Sequence, residues 1–185
     1  MKTKLIKQSL TALVAVGVIS LANISALAAD IAGNVQGAGS PIAGSTVTLY
    51  AAGTGAPQQL AQGKTDGSGA FKLNATQAPK DSVLYLVTKG GTPKAAAAKG
   101  PNDGIALMTL LGTSLPKNVT INELTTVASA FTAARLINGE AISGNPLGLR
   151  IAAGNVPDLV DPGTGKWARR FWTRSTSPRP PRWRP

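Results

Sequence analysis

Between Ile31 and Leu73 the chain repeats one device: an alternating segment, a break rich in glycine, then another alternating segment. Ile31, Gly33 and Val35 alternate with Ala32 and Asn34, and Val47 and Leu49 alternate with Thr46, Thr48 and Tyr50. Successive side chains of a strand point to opposite faces, so a period of two fits strands with one buried side. Gly37-Ala38-Gly39-Ser40-Pro41 separates the first two segments, and glycine and proline punctuate strands in this way. Thr65-Asp66-Gly67-Ser68-Gly69 makes a second corner before Phe71-Lys72-Leu73. The pattern predicts a mainly-β sandwich in which Val35, Val47, Leu49, Phe71 and Leu86 share one interior. Such a scaffold binds or spaces rather than catalyses.

Two spaced signatures carry a family resemblance. The first comprises Gly33, Val35, Gly39, Pro41, Ile42, Gly44, Val47 and Leu49, the second Thr65, Asp66, Gly69, Phe71 and Leu73. In that order they resemble the carboxypeptidase regulatory-like domain, an Ig-like, prealbumin-like Greek-key sandwich similar also to the B-type repeats of bacterial surface adhesins. The resemblance covers Ile31 to Leu73, and reaches Val87 if Val83 to Val87 is the next strand. It implies a fold, an extracellular habit and a place as an accessory piece of a longer secreted protein. It brings no catalytic, cofactor-binding or metal-binding residues.

The start of the chain fits that habit. Lys2, Lys4 and Lys7 precede an apolar run from Leu10 to Leu21, and Ala26-Leu27-Ala28 supplies a small-x-small cleavage site. Residues 1–28 therefore read as a secretory signal, the run being well short of the roughly 20 residues that span a bilayer. The formal charge of +11 belongs to the two ends. Residues 29–165 carry seven Lys, two Arg and all eight acids, close to neutrality, whereas residues 166–185 carry one Lys, six Arg and no acid. A nucleic-acid groove needs clustered cations on the folded part, so no nucleic-acid partner is expected. Cysteine and histidine are both absent, which removes disulfides, thiol chemistry, the usual neutral-pH base and the commonest metal ligand.

The sandwich is expected over 29–92, with strands at Gln58 to Lys64, Ala70 to Asn74 and Val83 to Thr88. Residues 93–165 are expected to hold closing strands and a helical extension. Within it, Lys94 to Lys99 is a short helical turn or linker, and Ile105 to Leu111 a closing strand or a buried helical turn. A helix follows Val119-Thr120-Ile121, capped either by Thr120 with Glu123 or by Asn122. Its apolar face is Leu124, Val127, Ala128 and Phe131, and Asn138-Gly139 ends it. A second short helix has Asn145 as cap, Pro146 at its first position and Gly154 beyond its end.

Residues 166–185, with Trp167, Trp172 and Trp183 among arginines and prolines, differ from everything before them. Four readings stand: a binder of anionic membrane or cell-wall surfaces, a contact for nucleic acid or acidic polymers, a disordered solvated tail, or the product of a reading-frame shift. For the last, GC-rich codons for Phe171 to Pro185 give I-L-D-P-L-N-V-T-Q-T-T-T-L-A-P in the neighbouring frame. That string follows naturally from Asp158-Leu159-Val160-Asp161-Pro162. Membrane contact is expected only if the tail is genuine.

Catalytic constellations are not apparent. Serine-histidine chemistry is impossible without histidine, and neither Ser68 nor Ser82 opens an S-x-x-K. Asp158 and Asp161, beside prolines, suit turn and cap chemistry, and no pairing among Asp66, Asp81, Asp103, Glu123 and Glu140 is supported. Asp66-Gly67-Ser68-Gly69 superficially resembles the opening of a calcium loop, but Ala70-Phe71-Lys72 follows where further oxygen ligands are needed, and it reads as a hairpin corner. Phe71 and Phe131 look like core, and Tyr50 and Tyr85 like strand residues with solvated hydroxyls. The expectation is an exported, non-enzymatic module for spacing, protein contact or carbohydrate contact, with no cofactor. The partner and the oligomeric state are left open. Strand addition at a sheet edge is one route to binding, and a cationic surface-active protein acting through the tail is the alternative.

Overall fold

Ala38 and Gly39 take φ values of +50° and +76°, the left-handed pair that a two-residue hairpin uses. The chain therefore turns back at once from β1 (Ala29–Gly37) into β2 (Ser40–Ala43), with Gly37 opposite Ser40. β1 also pairs antiparallel with β5 (Ala70–Ala75) and parallel with β9 (Asn118–Ile121), while β2 pairs with β7 (Thr92–Pro93). Gly33 sits where β1, β5 and β9 converge, and a Cβ there would overlap the Val119 carbonyl and the Phe71 ring. A second sheet runs in the order β4, β3, β6, β8, using β3 (Thr46–Ala52), β4 (Gln58–Lys64), β6 (Val83–Lys89) and β8 (Ala106–Gly112). This computed structural model describes residues 29–139 and 141–168; residues 1–28, where a secretory signal is expected, and the tail beyond 168 lie outside them.

The protein is mainly β: two packed antiparallel sheets, sandwich-like, followed by two helices. Val35, Val47, Leu49, Phe71 and Leu86 do share one interior, with Ile31, Ile42, Leu73, Leu84, Val119 and Ile121. At roughly 1.5–3 kcal/mol for each large side chain withdrawn from water, this interior is the main source of stability in a chain without disulfides. Both sheets recruit a strand from beyond residue 92, β8 beside β6 and β9 beside β1.

A second apolar cluster lies on the other face of the β6 sheet. Val83, Tyr85, Val87 and Leu110 are covered there by Ala128, Ile142, Leu149, Ala152, Ala153 and Val156. The expected helical extension, α1 (Glu123–Thr132) and α2 (Pro146–Leu159), packs on that face as a third layer. Covered on both faces, β6 is buried from Val83 to Thr88, which explains why its sequence is apolar almost without alternation.

Some local expectations hold and others change. Asn122 is the α1 cap, accepting the Thr125 N–H while the Thr125 hydroxyl accepts the Asn122 N–H. The buried residues of α1 are Thr125, Ala128 and Ser129, and Phe131 is 75% exposed, so it is not core. The helix is turned to face the edge of β8, whose bare N–H and C=O groups need hydroxyl partners more than further apolar surface. α1 ends at Thr132, before Asn138-Gly139; Asn138 closes β10 (Ile137–Asn138) opposite Ala141, and Gly139, at φ +63°, starts the turn into β11 (Ala141–Ile142). Glycine adopts that left-handed φ without a Cβ penalty. α2 has the expected Asn145 cap and Pro146, but runs through Gly154 to Leu159. Packing of Ala152, Ala153 and Val156 on both sides of that glycine outweighs its poor helix propensity. Lys94–Lys99 is a kinked 3-10 turn. Lys166–Trp167 is β13, paired with β12 (Val160–Asp161), so the fold extends past the expected start of the tail.

Candidate contact site

Strand edges expose backbone donors and acceptors, and proteins generally cover them. Here β8 is covered by α1. The Met108 N–H donates to Thr126 Oγ1 at 3.0 Å and the Leu110 N–H to Ser129 Oγ at 2.9 Å. The Thr125 and Thr126 hydroxyls lie 3.2 and 3.3 Å from the Met108 carbonyl. β9 is covered by the turn after β12, where the Thr120 N–H donates to the Pro162 carbonyl and its hydroxyl to that of Gly163. On β4 the Leu60 carbonyl accepts both the N–H and the hydroxyl of Thr76. β7 is two residues long, and Pro93 has no N–H to offer.

The covering of β8 stops before its first residues. There a cleft of about 460 Å³ opens between the two sheets. Ile42 and Pro93 line it from the first sheet, Ile105 and Leu107 from the second, and the hairpin turn at Gly37 and Ala38 forms one rim. Ile42 belongs to the sandwich interior, and Ile105 and Leu107 pack against that interior while half-exposed. The cleft is therefore the interior's open margin.

One ionised side chain lines the cleft, that of Glu123, the first residue of α1. A carboxylate suits the positive end of a helix. Its Oε1 accepts the Ala38 N–H at 2.7 Å, which ties the left-handed turn to the helical layer. The other oxygen accepts no hydrogen bond from a described residue, and no described cation pairs with the carboxylate.

The remaining candidates from the sequence are dispersed. Asp66 Oδ1 accepts the Ser68 hydroxyl, the Ser68 N–H and the Ala70 N–H. These bonds, the hydroxyl first, hold its carboxyl below the usual carboxylate range. It is a corner residue, with internal donors around the oxygen that a calcium ion would need. Asp161 Oδ1 accepts the Gly163 and Thr164 N–H groups of its own turn. Asp81 lies 3.8 Å from Arg150, both half-exposed. Ser82 donates to the Pro79 carbonyl. Among the described residues no group of three or more His, Cys, Asp or Glu is placed to hold a metal ion; Glu140 lies outside them.

Tyr85 differs from its expected solvated state. It is buried, stacked on Tyr50 with ring centroids 5.3 Å apart, and its hydroxyl faces the Ile142 N–H at 3.4 Å. Burial raises its pKa. The β10–β11 hairpin covers it, and neither the hairpin nor the cleft announced itself in the sequence. The cleft joins Ile42, Leu107 and Glu123, far apart in the chain and each unremarkable alone. No family model matches this chain, and no curated protein matches it.

Proposed function

We propose that the chain is an exported, non-enzymatic sandwich module of the carboxypeptidase regulatory-like kind, serving as a spacing and contact piece in the N-terminal part of a longer exported protein. Its contact site is the cleft between β7 and the start of β8, and its partner is another polypeptide. One observation carries this reading: hydroxyls or turns cover β8 at Met108 and Leu110 and β9 at Thr120, whereas the sandwich interior reaches solvent beside Ile105 and Leu107. Among the described residues no aromatic ring lines the cleft, and sugar recognition leans on such rings, so a polypeptide partner is preferred to a carbohydrate.

A photo-crosslinking amino acid at Leu107, in the full chain expressed in its native host, tests this. A discrete protein adduct is expected from position 107 and none from Thr54, an exposed loop position used as control. Equal labelling from both positions contradicts the site. Turnover of simple esters, peptides or glycosides by the purified chain, lost on replacing one acid, contradicts the non-enzymatic assignment.

A further inference from the structure

We infer that the cleft selects a polypeptide segment carrying a lysine or arginine next to an apolar side chain, with Glu123 as the residue that chooses the cation. This rests on the reading of the cleft as the contact site and adds what it recognises. Ile42, Pro93, Ile105 and Leu107 provide an apolar floor that takes an aliphatic side chain. Glu123 is the sole charge among the lining residues, and the Ala38 N–H fixes one of its oxygens in place. A carboxylate held at the rim of an apolar cleft, whose second oxygen accepts no hydrogen bond from a described residue, is complementary to a donor cation. Lys94 and Asp103, adjacent in sequence to lining residues, offset one another in charge. They leave the sign of the cleft to Glu123.

Strand addition is poorly served at this margin, since β7 is short and Pro93 lacks a donor. Recognition therefore runs through side chains, and a short peptide is a fair probe. The experiment titrates the isotope-labelled mature chain with Ac-Leu-Lys-Val-NH2 and, separately, Ac-Leu-Gln-Val-NH2, following backbone amide shifts. The lysine peptide is expected to move the amides of Gly37, Leu107 and Glu123, and to bind about tenfold more tightly than the glutamine peptide, the factor that 1.4 kcal/mol represents. Raising salt narrows the gap, as exposed charges are screened.

Glu123→Gln should bring the lysine peptide down to the level of the glutamine peptide. Leu107→Gln should weaken both, and its thermal midpoint, close to the parent's, shows that the fold survives. Equal affinity of the two peptides for the parent chain overturns the cation selectivity and leaves the contact reading intact. Absence of shifts with either peptide, or shifts confined to another surface, overturns both.

Discussion

The two ends of β8 treat the same problem in opposite ways. At Met108 and Leu110 three hydroxyls from α1 satisfy the outer edge of the strand, and Leu110 is buried in the helical layer. At Ile105 to Leu107, a few residues earlier, no described hydroxyl of α1 bonds the strand, and the sheets part around an apolar cleft with one carboxylate at its rim. An edge closed by serine and threonine is a stabilising device, whereas an edge left open beside apolar surface is where a partner can gain by burial. Stability and contact are thus separated along one strand.

Two leucines on that strand should show the separation most sharply. Leu110→Ala opens a cavity in the covered layer and should cost about 3 kcal/mol in urea denaturation. Leu107→Ala, half-exposed, should cost about 1 kcal/mol or less while removing peptide binding. Equal losses would merge the two ends. The next effect concerns the seal itself. Ser129→Ala changes the volume little but leaves the buried Leu110 N–H without its Ser129 acceptor, at about 2 kcal/mol. A neutral result would mean that the hydroxyl contact is incidental.

The sheets were legible because alternation is a local signal with a direct physical cause. Ile31, Gly33, Val35, Val47 and Leu49 declare their buried side by spacing alone, and all five are buried. The helical layer was less legible because α1 is held by polar groups. Apolar periodicity pointed to Val127 and Phe131, which are 57% and 75% exposed. The facing residues, Thr125 and Ser129, carry hydroxyls whose value depends on a strand edge supplied by another part of the chain. Glu123 suggested a capping partner for Thr120, but its contact is with Ala38, 85 residues away. No local pattern encodes such a pairing.

Smaller effects refine the contrast between covered and open regions. Thr109 is buried, and its hydroxyl has no hydrogen-bond partner among the described residues. Thr109→Val should therefore stabilise the sandwich by about 1 kcal/mol, read as a raised urea midpoint. Ala38 takes a left-handed φ at the rim of the cleft, and Ala38→Gly should gain up to about 1 kcal/mol. The smallest effect belongs to the Asp66 corner. Its folded pKa is depressed by its hydrogen bonds, so its contribution is present above the unfolded carboxylate value of about 4 and is lost as pH falls through the folded value. The difference in midpoint between the parent and Asp66→Asn should accordingly be visible at pH 7 and close in acid; a gap that persists there would contradict the assignment.

Native-state hydrogen exchange along the outer edge of β8 examines the separation of the two ends without any substitution. By strand alternation, the amides of Ala106, Met108 and Leu110 point the same way. Met108 and Leu110 should exchange only through global unfolding, while Ala106 exchanges nearly as fast as an unstructured chain. Comparable protection at all three, or rapid exchange at Leu110, would show that α1 does not close the strand and that the cleft is not set apart from it.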